Sequence, residues 1–355
     1  AQAAWSKLEP ELQICKGLKR DKRDGCITAA NDWLKVARSM QVSIPAGIET
    51  VQTDCGDRQP AYPAESRTVT AADVGKAEAL LTQLDDEQSP VMVEADKYYY
   101  RQGVMEDFAK AANLYEQACA AGEQLGCAHL SIILWTPKGM VAEDKPRAKQ
   151  LMQTALPDLE RRLSVGDQKA GRLIGVAYFH GIGIRMANWM RPLSLFGEAC
   201  DGGDTMGCTH LGYMFNAGKG VYADETVAAM LFTKACDAGN AVGCNLLGDM
   251  YRNGYDVAKG DQSAASLFKK ACDGGHALGC VNFGDIYRDG AGVSQDYKQA
   301  VVLYKKACDG GSALGCHNLG WMYKRGLGVS ASATHSRKQF EKACDMGLKY
   351  ACDYL

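Results

Sequence analysis

Twelve of the fifteen cysteines fall into six pairs with a constant spacing of eight, and this spacing restricts the fold more than any other feature of the chain. The pairs are Cys119 and Cys127, Cys200 and Cys208, Cys236 and Cys244, Cys272 and Cys280, Cys308 and Cys316, and Cys344 and Cys352. From Cys200 onward the first members recur every 36 residues. The surrounding text recurs with them: Lys-Ala-Cys-Asp begins at Lys234, Lys270 and Lys306, and each time leads through a glycine to Gly-Cys. Self-similarity at a period of 20–50 residues marks a repeat architecture, in which each unit buries its apolar face only against its neighbours.

Each period contains two helical patterns. After the second cysteine comes a segment such as Asn318 to Arg325, then a Gly-x-Gly turn, then a segment such as Lys298 to Lys306 with apolar residues at Ala300, Val301, Leu303, Tyr304 and Ala307. Apolar positions three and four apart predict helices, so one period reads as helix A, turn, helix B. Gly239, Gly275 and Gly311 stand where helix B must stop and suit a left-handed cap. Gly248, Gly284 and Gly320 fall inside helix A, where glycine costs about 1 kcal/mol relative to alanine, so close helix approach is expected there. The tyrosines at 251, 287 and 323, with Phe215 in register, are expected to pack between helices.

Composition excludes several classes. The 46% hydrophobic and 23% charged content is not that of a disordered chain. With 42 acidic against 40 basic side chains there is no overall basic field for nucleic acid. No run approaches the roughly 18 apolar residues of a membrane span. Fifteen cysteines in such a chain point either to metal or to disulfides in an exported protein.

The repeated text from about residue 91 onward resembles the Sel-one-like repeat (SLR) family, tetratricopeptide-like solenoids, and within it the cysteine-rich branch typified by the Helicobacter cysteine-rich proteins. The resemblance implies an all-α, right-handed α/α superhelical solenoid of about seven helical hairpins over residues 91–355. It also implies that the cysteine ending each helix B is disulfide-bonded to the one opening the next helix A, in all six pairs. Spacing agrees, because C-x7-C lacks the two-to-four-residue knuckles of structural zinc sites. Closing so short a loop contributes about 2.5 kcal/mol in the chain-entropy model. Disulfides place the protein in an oxidising compartment, periplasmic or secreted, and the start Ala1-Gln2-Ala3 is read as that of a mature chain after signal-peptide removal.

The front of the chain departs from the pattern. Leu163 and Gly171 stand where a cysteine pair is expected, so one repeat has lost both partners together. Between Cys127 and Leu163 the prolines Pro137, Pro146 and Pro157 predict an irregular loop or displaced helix. Residues 1–90 form an N-terminal helical extension with a long loop. Trp5–Lys19 and Cys26–Met40 make a hairpin that Cys15–Cys26 is placed to staple, residues 42–70 form the loop, and a helix covers 71–84. The odd cysteine count leaves Cys55 free or intermolecular. At the far end, the last helix A is barely begun after Cys352, so self-association through an uncapped C-terminal face is expected.

The resemblance implies a non-enzymatic scaffold that binds a protein, as adaptor, host-interaction factor or periplasmic immunity protein neutralising a secreted effector. The alternative that the resemblance to the cysteine-rich branch implies is a penicillin-binding protein with weak β-lactamase activity. Ser266-x-x-Lys269 has the required spacing, but Ser-Asp-Asn and Lys-Thr-Gly are both absent. No catalytic residue, metal or cofactor is therefore expected. The candidate partner surface is the concave face of the A helices, where residues vary within fixed text: Tyr213, Asn216, Asp249, Arg252, Asp285, Arg288, Trp321 and Lys324. Exposed aromatics at such positions resemble interface hot spots. Asn282 and Asn318 sit at a family consensus position and are expected to be structural.

Overall fold

The computed structural model describes residues 88–101, 104–136, 141–184, 189–255 and 260–355. The chain divides into Ala1–Gln88 and Ser89–Leu355, and the described residues fall almost wholly in the second unit. The expected Cys15–Cys26 staple, Cys55 and the helices before residue 88 lie outside the described residues.

Among the described residues there are fourteen α-helices and no strand. They are α1 (Pro90–Tyr100), α2 (Phe108–Ala120), α3 (Gln124–Trp135), α4 (Lys145–Ser164), α5 (Gln168–His180), α6 (Met190–Asp201) and α7 (Thr205–Ala217). There follow α8 (Glu225–Asp237), α9 (Ala241–Asn253), α10 (Asp261–Asp273), α11 (Ala277–Asp289), α12 (Tyr297–Asp309), α13 (Ala313–Arg325) and α14 (Ala333–Asp345), then a 3₁₀ turn over Lys349–Tyr354. Consecutive helices pack as seven hairpins, odd-numbered helices serving as helix A and even-numbered ones as helix B. Local chemistry sets the boundaries. Asp107, Asp144, Asp224, Asp296 and Ser332 each accept a backbone N–H at the start of a helix B. Glycines with φ between 61° and 77° close five of the A helices, at Gly181, Gly218, Gly254, Gly290 and Gly326.

All six repeat cysteine pairs are bridged, with Cα–Cα separations of 4.4 to 5.0 Å. Each bridge ties the end of one hairpin to the start of the next. The lysine two residues before the first cysteine adds a second tie: Lys306 and Lys342 donate to the carbonyls of Cys272 and Cys308, both at 3.2 Å.

The core is a file of aromatics that the cysteine spacing overshadowed. Phe196, Phe232, Phe268, Tyr304 and Phe340 also recur every 36 residues, and each is buried. They account for the glycines inside helix A. A Cβ on Gly248, Gly284 or Gly320 would stand 2.7, 2.7 or 2.9 Å from the ring of Phe268, Tyr304 or Phe340. The helices approach closely, as the glycines predicted, and a ring of helix B occupies the vacated space. Phe215, Tyr251, Tyr287 and Tyr323 pack partly buried against the same clusters.

Three front and end features differ in detail from expectation. Of the loop or displaced helix expected around Pro146 and Pro157, the structure has the helix: α4 runs 20 residues, with Pro146 in its first turn, where no backbone donor is needed, and Pro157 inside it. In the pair without cysteines, Leu163 Cδ1 reaches to 3.0 Å from where a Gly171 Cβ would be, so a leucine side chain fills the place of the sulfur bridge. The last hairpin is not bare, because the 3₁₀ turn folds back on it and Tyr354 stacks on Phe340 at 4.9 Å.

Candidate inner-wall interface

The candidate positions of α9 and α11 sit in two hydrogen-bonded groups, each reaching into the next hairpin. Arg252 pairs with Asp249 at 2.6 Å and donates to the Asn282 side chain at 3.2 Å. Asn282 donates to Asn245 at 2.9 Å, so it is a rung between repeats, as expected. In the next hairpin Arg288 pairs with Asp285 at 2.8 Å, and Asp285 accepts from the Tyr304 hydroxyl at 2.6 Å and from Asn318 at 3.4 Å. Burial raises the carboxyl pKa of Asp249 against the pull of Arg252. It raises that of Asp285 too, against Tyr304 and Arg288. These acids, Arg252 and Arg288 are all half-buried, which leaves both donors and acceptors accessible at the surface.

The other candidate residues sit apart. Tyr213 on α7 is 43% exposed, its ring edge-on to Phe179, and Asn216 one turn on is exposed. Trp321 belongs to a different structure. It donates from Nε1 to His317 at 3.1 Å, packs on Phe340 and Tyr354, and carries Lys324 and Arg325 over its ring at 4.9 and 4.8 Å. It is thus half-buried in the aromatic cluster that closes the last hairpin, and the exposed Lys324 is packed beside it.

Sequence reading missed what hairpin 1 does. Tyr99, Arg101 and Phe108 face Met206, Thr209, His210 and Tyr213 of α7 and Val242 and Leu246 of α9 across a cavity of about 180 Å³. Contacts over more than 100 residues bring hairpin 1 back against α7 and α9, whose facing sides make a wall opposite it. Beneath this wall a polar chain crosses four hairpins. Asp204, which caps α7, pairs with the buried Arg172 at 2.8 Å; Arg172 donates to the Tyr100 oxygen at 2.5 Å; the Tyr100 hydroxyl stands 2.5 Å from His129 Nε2. Burial, with Lys169 nearby, pushes the His129 imidazole down to about 3. It is therefore neutral, its Nδ1–H donating to the Leu125 carbonyl at 2.7 Å and its Nε2 accepting from Tyr100. Tyr98, Tyr99 and Tyr100 were the available signal, an aromatic run with no counterpart in later repeats.

The Ser266 spacing assembles no catalytic group. Ser266 lies exposed on α10, and the Lys269 amino group is held at 2.5 Å by Asp273, which raises its pKa and keeps it protonated. A general base needs the reverse. No helix among the described residues is long and apolar enough to cross a membrane.

The Sel1 repeat family model matches the chain at residues 95–123, 205–240, 241–276, 277–312 and 313–348. No curated protein matches it. Among solved structures, a Sel1 repeat protein from Oxalobacter formigenes aligns at 21% identity with a TM-score of 0.50, over 57% of this chain and 82% of that one. Helicobacter pylori cysteine-rich protein B aligns at 31% identity and a TM-score of 0.31, over 36% of this chain and 91% of that one. A protective antigen of uropathogenic Escherichia coli strains displaying an SLR fold aligns at 20% identity and a TM-score of 0.47, over 97% of this chain and 65% of that one.

Proposed function

Because this chain belongs to the Sel1 repeat family, we propose that it is a non-enzymatic scaffold whose inner wall of A helices binds and regulates a protein partner. The observation that carries this reading is the file Asn245, Asp249, Arg252, Asn282, Asp285, Arg288, Asn318. It offers charged and amide groups at repeat spacing on a rigid surface, which suits a polypeptide lying across several hairpins. Six bridges support action in an oxidising space, and the finer assignment is to the periplasm or beyond the cell.

Within this reading the partner is a secreted effector that the protein neutralises, or a host protein. Immunity predicts one-to-one binding to a single toxin and protection of cells exposed to it. A host-directed role predicts detection of the protein outside the cell. Self-association through the aromatic end formed by Trp321, Tyr350 and Tyr354 is a further proposal, read from sedimentation.

The test compares the full chain with Arg252→Glu plus Arg288→Glu as bait in native envelope extract. One stoichiometric species retained by the wild type and lost by the variant, at similar melting temperature, is the expected result. Retention by both would remove the inner wall from the model. A chromogenic β-lactam should not be turned over, and turnover abolished by Ser266→Ala would restore the enzymatic alternative.

A further inference from the structure

Among A helices α7, α9, α11 and α13, three are capped by their own side chains: Asp204, Asn240 and Ser312. The fourth, α11, has His276 at that position and no cap from it. Its cap comes from 170 residues earlier. The Ala277 N–H donates to the Glu106 carboxylate at 3.3 Å, His276 Nδ1 lies 3.3 Å from the same carboxylate, and the Arg101 guanidinium pairs with it. The Glu106 N–H in turn donates to the Gly275 carbonyl at 3.3 Å.

The neighbouring residues are seated as closely. A Cβ on Gly275 would stand 2.3 Å from the Val104 carbonyl oxygen, and one on Gly310 would stand 2.4 Å from Met105 Cε. Met105 packs on the cluster that contains Cys272, Cys280 and Tyr304. Arg101 reaches its partner from a left-handed backbone, φ 61°, the one non-glycine in that region among the described residues. The occupant is thus three residues long and uses a backbone N–H, an apolar side chain and a carboxylate. These are the groups a short linear segment of another protein would offer.

We infer that the α10–α11 and α12–α13 turns form a docking seat for an extended segment in which an apolar residue precedes glutamate, and that Val104–Glu106 fills it in cis. A partner segment of that chemistry takes the seat by displacing the loop. This frees Arg101 and opens the cavity between hairpin 1 and the inner wall. The inference rests on the protein-binding reading and adds the partner's chemistry: a strand with an exposed apolar–Glu pair, attracted by the helix N-terminus and His276.

The test uses a fluorescein-labelled peptide with the sequence of residues 104–110 and the full oxidised chain, read by anisotropy. The variant Met105→Ala with Glu106→Gln, its seat vacated, should bind the peptide about tenfold or more tighter than the wild type. A peptide with glutamine in place of its glutamate should bind weakly, and adding His276→Ala to the variant should weaken binding of the original peptide. Equal affinity of wild type and variant, or no binding to a variant with native helicity and bridge count, would overturn the inference. Where the double variant fails to fold, Glu106→Gln alone supports the same comparison. A peptide-reversible dimer of the wild type would make a second copy the occupant and overturn the partner assignment. Arg252→Glu with Arg288→Glu should leave peptide affinity unchanged, so seat and inner wall fail separately.

Discussion

Hairpins 4 to 7 and hairpins 1 to 3 solve one packing problem by different means. The later hairpins repeat a single unit, a sulfur bridge and a buried aromatic over a helix A glycine, to which hairpins 6 and 7 add a lysine tie to the preceding carbonyl. The earlier ones have lengthened one helix to 20 residues, replaced a bridge by Leu163 against Gly171, and added the buried chain Asp204–Arg172–Tyr100–His129. A covalent staple constrains the unfolded chain whatever its surroundings, whereas a buried polar chain holds only when every member is satisfied. The front is therefore the part more sensitive to substitution and pH, and the back the part more sensitive to reductant.

The largest expected effect is Arg172→Met, which leaves Asp204 and Tyr100 without their buried donor. It should cost about 3–5 kcal/mol in denaturant unfolding, and a loss below about 1 kcal/mol would show the front to be held by apolar packing alone. Next comes Cys272→Ser with Cys280→Ser, expected to cost about 2.5 kcal/mol. After reduction of the wild type, hydrogen exchange should quicken at the α10–α11 junction more than at α4–α5, which has no bridge to lose. Equal quickening at both junctions would erase the distinction. The converse change, Leu163→Cys with Gly171→Cys, should create a seventh repeat bridge visible by intact mass without reduction. It should gain at most about 2 kcal/mol, offset by the leucine contacts removed. A chain in which both new thiols stay free would mean that the front junction has drifted from repeat geometry.

The smallest effect is a pH slope. The His129 imidazole is held down at about 3 by burial and takes up a proton near 6.5 when unfolded. Between those values the unfolded state binds the extra proton, so stability falls on acidification, by up to about 1.4 kcal/mol per pH unit. Burial lowers His317 in the same sense. Glu106 acts later: burial opposes its charge, but the His276 hydrogen bond and Arg101 hold its carboxyl down at about 2, so its contribution is lost only as pH falls below about 4.5. Unfolding free energies at pH 7, 6 and 5 isolate the histidine part, and a flat profile would contradict the neutral buried His129.

The proposed wall rests on residues that the repeat text itself picks out. Asp249, Arg252, Asp285 and Arg288 stand out as variable positions in fixed text, and the structure pairs Arg252 with Asp249 on α9 and Arg288 with Asp285 on α11. Trp321 was legible as helix A but not as part of an end cluster, because Tyr354, which packs on it, and Tyr350, which packs on its neighbour His317, come from the 3₁₀ turn beyond the last period. The aromatic file from Phe196 to Phe340 was as periodic as the cysteines and needed only the same count.

What the chain's text determined by itself is the unit: two helices per 36 residues, their caps, the glycine that admits a ring, and the pairing of cysteines eight apart. All of these are set by residues within one hairpin or its neighbour. Tertiary structure alone decided that Glu106 meets His276 and that Tyr99 faces Val242. Such contacts depend on a small rotation per hairpin that accumulates over several repeats, and no single repeat encodes that sum.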